Sequence, residues 1–153
     1  MDIRRGNVSA NIDLSRITGN FQKAQYYLDS TIMASMVPYM PMQTGSLINL
    51  TRAESASLAG TGRVCAAYGP YGRYLYEGKK MVDSETGKGP RRIDIDGEII
   101  YRYRKGAKLI ATDEPLNYDR NAHPGVTDHW FDTAKANHLN EWIEGVKRVC
   151  GGK

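Results

Sequence analysis

Val37-Pro38-Tyr39-Met40-Pro41-Met42-Gln43-Thr44-Gly45-Ser46 divides the chain into two kinds of sequence. Proline holds φ at about −65° and disfavours the α region for the residue before it, so a helix running into Pro38 and Pro41 must stop. Thr44-Gly45-Ser46 then reads as a turn, with Gly45 free to take positive φ. Residues before this hinge carry a helical pattern. Residues after it read as sheet. On its own terms the stretch is a helix-to-strand connection.

Upstream, Leu14, Ile17, Phe21, Ala24, Leu28 and Ile32 recur every three or four positions. That spacing draws one apolar stripe on a helix over residues 13–36, with Asp13 as its N-cap. Gly19 weakens the pattern by about 1 kcal/mol relative to Ala without breaking the stripe. Met33, Met36, Met40 and Met42 gather at the far end, where flexible thioethers fill gaps in a core or make an adaptable contact surface; core packing is the expected use. Residues 1–12 form an N-terminal arm whose Val8 and Ile12 are too sparse to separate strand from extended chain.

Downstream, Leu47, Ile48, Leu50 and Thr51 alternate in part, so residues 47–54 read as a strand. Gly60 and Gly62 mark a turn, and residues 63–68 read as a second strand antiparallel to it. In Tyr68-Gly69-Pro70-Tyr71-Gly72-Arg73-Tyr74-Leu75-Tyr76-Glu77-Gly78 four tyrosines fall within nine positions. A short helical turn after Pro70 places Tyr71, Tyr74 and Leu75 on one side. These rings either cap a sheet or form a contact surface between subunits.

Residues 79–90 are polar and aperiodic, as in a loop. Two alternating runs come next, joined by Asp96-Gly97, and this pair is a strong hairpin signal because its turn needs positive φ. Residues 79–108 thus make a loop and basic β-hairpin insert, and residues 108–112 a further strand. The last helix, capped by Thr127 or Asp128, carries Trp130, Phe131, Ala134, Leu139, Trp142, Ile143, Val146 and Val149 on its apolar face and ends at Gly151. Gly145 is discordant in that helix.

The fold class expected is α+β: a small antiparallel sheet packed by a long N-terminal helix and a C-terminal helix, in one domain of 153 residues. Composition is ordinary for a globular chain, with 41% hydrophobic and 25% charged residues, and the net charge of +4 permits contact with nucleic acid without requiring it. No apolar run approaches the ~20 residues that span a bilayer, so no membrane is expected. Arg4 and Arg5 are not followed by the apolar core of a secretory signal. Cys65 and Cys150 are read as reduced thiols of a cytoplasmic setting.

Signs of catalysis are missing. His123, His129 and His138 lack metal-site spacing, the cysteines form no C-x-x-C pair, and neither a phosphate loop nor a nucleophile elbow is present. No catalytic residue, cofactor or metal is expected. The strongest physical pointer to a partner is the set Arg91, Arg92, Arg102, Arg104, Lys105 and Lys108, interleaved with Tyr101 and Tyr103. Such a set either tracks a phosphate backbone without reading sequence or forms a solvated strand face, and Asp94, Asp96 and Glu98 offset part of its charge. A non-specific nucleic-acid-binding module is therefore one functional reading.

A second reading comes from resemblance. Pro38 to Leu47 resembles a "Y-x-P-x-x-T-G-x-L" signature, Tyr68 to Gly78 a "P-Y-A-x-Y-x-x-x-G" segment, and Lys105-Gly106-Ala107-Lys108-Leu109 a strand leading to a closing part. His123-Pro124-Gly125 followed by Asp128-His129-Trp130-Phe131-Asp132-Thr133-Ala134-Lys135 resembles a final-helix signature. In this order the stretches, spanning residues 13–149, resemble the small minor capsid or head–tail joining (neck) proteins of long-tailed double-stranded DNA bacteriophages. Gly72 stands where that pattern commonly has Ala, and the basic insert lies outside it.

The resemblance implies a non-enzymatic virion protein of the neck, assembled in the bacterial host cytoplasm. Copies of itself would form a ring between the portal or adaptor side of the capsid and the tail terminator or tail tube proteins, around a channel that DNA crosses. It implies that Pro38, Tyr39, Pro41, Thr44, Gly45, Tyr71, Tyr74 and Tyr76 lie at subunit interfaces. Arg91, Arg92, Arg102, Arg104, Lys105 and Lys108 would then face DNA.

Overall fold

Ser15–Met36 forms one helix, α1, whose C-terminal half brings Met33 and Met36 into the buried core. The computed structural model describes residues 2–5, 8–11, 15–69, 71–95 and 97–151. Ahead of α1, β1 (Asp2–Arg5) and β2 (Val8–Asn11) pair as an antiparallel ribbon. The expected cap Asp13 and the stripe residue Leu14 lie outside the described residues. Along the rest of the stripe, Ala24 is buried, while Ile17 and Phe21 are exposed. The stripe thus makes α1 amphipathic, but its first turns find no cover among the described residues.

The hinge ends α1 as its prolines require. Val37–Tyr39 tightens into a 3-10 turn, and Met40 leaves it in extended conformation. Met33, Met36 and Met40 are buried, whereas Met42 is exposed. Gly45 takes φ +76° and accepts the first helical hydrogen bond, from the Asn49 N–H at 2.9 Å.

The hinge leads into α2 (Ser46–Leu58), not the expected strand over 47–54. Its inward positions are Ile48, Thr51 and Ser55, spaced three and four apart as on a helix face. Two of the three are polar, which hid the period. Residues 63–68 are not a strand either, and no β pair forms here. Their backbone runs irregularly and is held by side chains. Thr51 Oγ1 accepts the Tyr68 N–H at 3.0 Å, Ser55 Oγ accepts the Cys65 N–H at 3.1 Å, and Trp130 Nε1 donates to the Ala66 carbonyl at 2.7 Å. The turn before this segment is fixed by Asp29, whose buried carboxylate accepts the Gly60 and Gly62 N–H groups at 2.8 and 3.1 Å.

The expected helical turn after Pro70 is α3 (Gly72–Glu77). Gly78 in the left-handed region closes it, where a Cβ would collide with Asp128. The start of the polar stretch is not loop but β3 (Lys79–Asp83), which buries Met81 and Asp83 and pairs antiparallel with β6 (Leu109–Pro115). Between them stands the expected hairpin, β4 (Arg91–Ile95) and β5 (Glu98–Arg102), in a register that pairs Ile95 with Glu98. Gly97 has φ +86°, and Asp94 Oδ1 accepts its N–H at 3.0 Å. The described strands therefore pair only in twos, as three antiparallel ribbons.

α4 (Trp130–Val149) closes the fold against α1. Its N-cap is His129, in the left-handed region at φ 41°, rather than Thr127 or Asp128. The His129 N–H donates to the Tyr76 carbonyl at 2.9 Å, which ties the cap to α3, and the Thr127 hydroxyl donates to Asp128 Oδ1 at 3.1 Å. Tyr39, Ser35 and Tyr27 meet His138, Trp142 and Gly145, so α1 and α4 run antiparallel. Trp130, Ala134 and Trp142 join Met33, Met36, Met40 and Ile48 in one buried cluster. Truncating a ring such as Trp130 in such a core costs about 3–5 kcal/mol. Leu139 and Ile143, on the expected apolar face, are exposed.

Candidate functional site

Two segments distant in sequence meet in one groove of about 400 Å³. Pro41, Thr44, Gly45, Leu47 and Leu50 line one wall; Tyr68, Tyr71, Gly72 and Leu75 line the other. The left-handed Gly45 turns the chain from the hinge into α2, and α3 brings Tyr71 and Leu75 opposite. Leu50, Tyr68 and Tyr71 are each 44–51% exposed. Gly72 is buried, and a Cβ there would stand 3.1 Å from the Ala67 carbonyl carbon. At this position an alanine would press on the backbone of the 63–68 segment.

The hinge is braced from behind by residues 123–128. His123 Nδ1 lies 2.8 Å from the Met40 carbonyl oxygen, and the Thr127 N–H donates to the Tyr39 carbonyl at 3.1 Å. Tyr39 is half-buried, with its hydroxyl accepting from Asn137 Nδ2 at 3.0 Å. Pro38 is exposed beside it. Tyr76 is committed inward: its ring meets Trp130 edge-on at 4.9 Å and His129 at 5.0 Å. Burial pushes its phenol up from the usual range. Tyr74 is half-buried on α3. Of the tyrosines in this segment, Tyr68 and Tyr71 are the most exposed, and Tyr68 and Leu50 join the groove although the sequence does not single them out as site residues. The strand reading of 47–54 places Leu50 on a sheet and so hides its meeting with Tyr68.

The basic set divides. Arg104 is neutralised: its guanidinium reaches Asp83 Oδ2 at 3.0 Å and Glu85 Oε2 at 2.6 Å. This pairing, with the Glu85 N–H bound to Asp83 Oδ1, holds the buried Asp83 carboxyl below the usual carboxylate range. Arg91, Arg92, Arg102, Lys105 and Lys108 are exposed, and no ion pair to them occurs among the described residues. Tyr103 anchors the hairpin base by donating to the Met81 carbonyl at 2.9 Å. Residues 105–109 lead from here into β6 and take no part in the groove.

Among the described residues no group of three or more His, Cys, Asp or Glu side chains is placed to hold a metal, and Cys65 and Cys150 are free thiols. Also among them, no helix is long and apolar enough to cross a membrane. No protein-family model matches the chain, and neither a curated protein nor a solved structure matches it.

Proposed function

We propose that this chain is a structural subunit of a bacteriophage neck, present as a ring that joins the DNA-filled capsid to the tail. One observation carries the reading. Three stretches by which the chain resembles head–tail joining proteins, far apart in sequence, come together: residues 41–47 and 68–75 as the two walls of a groove, and residues 123–128 as the brace behind it. A ring of identical subunits needs a head-to-tail contact between two different surfaces of each copy. An apolar groove rimmed by exposed Leu50, Tyr68 and Tyr71 suits one half of such a contact, since aromatic residues are enriched at interfaces. On this reading the partners are further copies of the chain, the portal or adaptor, and the tail terminator or tail tube, and the protein resides in the virion.

The reading is tested in the phage that encodes the chain. Leu50→Ser with Tyr71→Ala is expected to give DNA-filled heads without tails, while circular dichroism of the purified variant is unchanged. Normal tailed particles from that variant overturn the reading, as does a genome in which the neighbouring genes encode no portal or tail proteins.

A further inference from the structure

The β4–β5 hairpin carries its charges in a pattern the sequence alone does not reveal. Arg91 and Arg102 are direct partners across the ribbon. Side chains at paired positions share one face, and like charges so placed repel. Neither arginine has an ion-pair partner among the described residues, so nothing described relieves this repulsion. Arg92 pairs with the exposed Tyr101 on the other face. Asp94 sits toward the tip, where its carboxylate is bound to the Gly97 N–H. At ~3.3 Å per residue, Asp94 stands about 7 Å from Arg92, on the same face, and about 10 Å from Arg91, so the Arg91–Arg102 pair is the part of the ribbon farther from its charge.

The base is also where other cations converge. Consecutive N–H groups at the end of β3, those of Asp83 and Ser84, donate to the carbonyls of Lys88 and Lys108 at 2.9 and 2.8 Å. Both lysines are thereby tied to the end of β3, and Lys88 lines one depression with Arg91. β4 is exposed along its whole length, and the two strands pack chiefly on each other. The result is a two-stranded ribbon whose base exposes Arg91, Arg92 and Arg102 with no ion-pair partner among the described residues. The major groove of B-DNA, about 12 Å wide, admits a ribbon of this kind, and phosphates along its edges answer unpaired arginines on both faces.

We propose that the hairpin base, with Arg91, Arg92, Arg102, Lys88 and Lys108, is a sequence-independent binding site for the phosphate backbone of double-stranded DNA. Arg104 is not part of it. The site stands on the chain's own charges; its use in a channel rests on the neck reading.

The test is fluorescence anisotropy of a labelled mixed-sequence duplex with the purified full chain over a series of salt concentrations. Affinity is expected to rise as salt falls. Each phosphate neutralised adds about 0.9 to the slope of log K against log salt, so Arg91→Gln with Arg102→Gln is expected to lower the slope by about 2 and to weaken binding roughly tenfold or more at low salt. Because the two arginines repel, their removal leaves the hairpin folded, which circular dichroism checks. A charge-matched control, Arg52→Gln with Lys135→Gln on α2 and α4, is expected to keep the wild-type slope. The proposal is overturned if the wild-type chain fails to bind at low salt or if the control loses as much as the hairpin variant. It is also overturned if polyglutamate displaces the duplex at equal charge concentration, which would point to an acidic protein partner. The assay needs no ring, so loss of assembly and loss of DNA binding are read separately.

Discussion

The phenol of Tyr27 occupies the space that a side chain at position 145 would need. A Cβ on Gly145 would fall well inside van der Waals contact with the Tyr27 hydroxyl oxygen and ring edge. This explains a glycine in the middle of α4, where it costs about 1 kcal/mol relative to alanine. Gly145→Ala regains that propensity but overpacks the α1–α4 contact, which costs about 1–3 kcal/mol. The expected net result is a destabilisation of about 1 kcal/mol, read from the denaturant midpoint. In the Tyr27→Ala background the same change is expected to stabilise. A double-mutant cycle with no coupling between the two positions rules this packing conflict out.

Thr51 and Ser55 show which parts of the fold were legible and which were not. The helix stop at Pro38, the left-handed Gly45, the β4–β5 hairpin and both long helices follow from local chemistry, and each stands where the sequence put it. The 47–58 segment does not, because its inward face uses hydroxyls in place of apolar side chains. Those hydroxyls act as the missing strand partner of residues 65–68, accepting the N–H groups of Tyr68 and Cys65. Short apolar runs cannot decide between strand and helix by period alone. The groove was half legible: its residues stand out as separate stretches, and only the fold brings them together. The separation of Arg104 from the other cations was not legible, since it depends on Asp83 being buried beside it. Thr51→Val keeps shape and removes the acceptor of the half-buried Tyr68 N–H, so a loss of about 1 kcal/mol is expected. Faster hydrogen exchange at the Tyr68 amide, with α1 amides unchanged, is the accompanying signature.

The Arg104–Asp83 pair gives the fold an acid dependence. Asp83 is held below the usual carboxylate range first by Arg104 and then by the Glu85 N–H. A depressed folded value means the contribution is complete above the unfolded value, about 4, and is lost as pH falls through the lower folded value. Arg104→Gln removes the larger cause. The variant is expected to be less stable at neutral pH and to lose less on acidification, so its stability curve lies closer to flat below about pH 4. An acid limb as steep as the wild type's would show that other carboxylates carry it. Because Arg104 lies outside the proposed DNA site, this variant is also expected to keep the wild-type salt slope for DNA.

Tyr118 gives the fold an alkaline dependence. Its hydroxyl donates to the Leu75 carbonyl, joining the 116–128 connection to α3. Burial, and secondarily the charge of Asp128, push its phenol up to about 12. In the unfolded chain the group titrates near its ordinary value of about 10. Between these values the unfolded chain has released a proton that the folded chain retains, so stability is complete below about pH 10 and falls as pH rises toward about 12. Tyr118→Phe removes both the hydrogen bond and the titration. It is expected to lower stability at neutral pH by about 1 kcal/mol and to make the alkaline decline shallower. Some decline remains, because burial also raises Tyr76 and Tyr103. The measurement is a set of denaturant midpoints from neutral to alkaline pH for the two proteins. Parallel curves through that window would mean that Tyr118 ionises as freely in the folded chain as in the unfolded one.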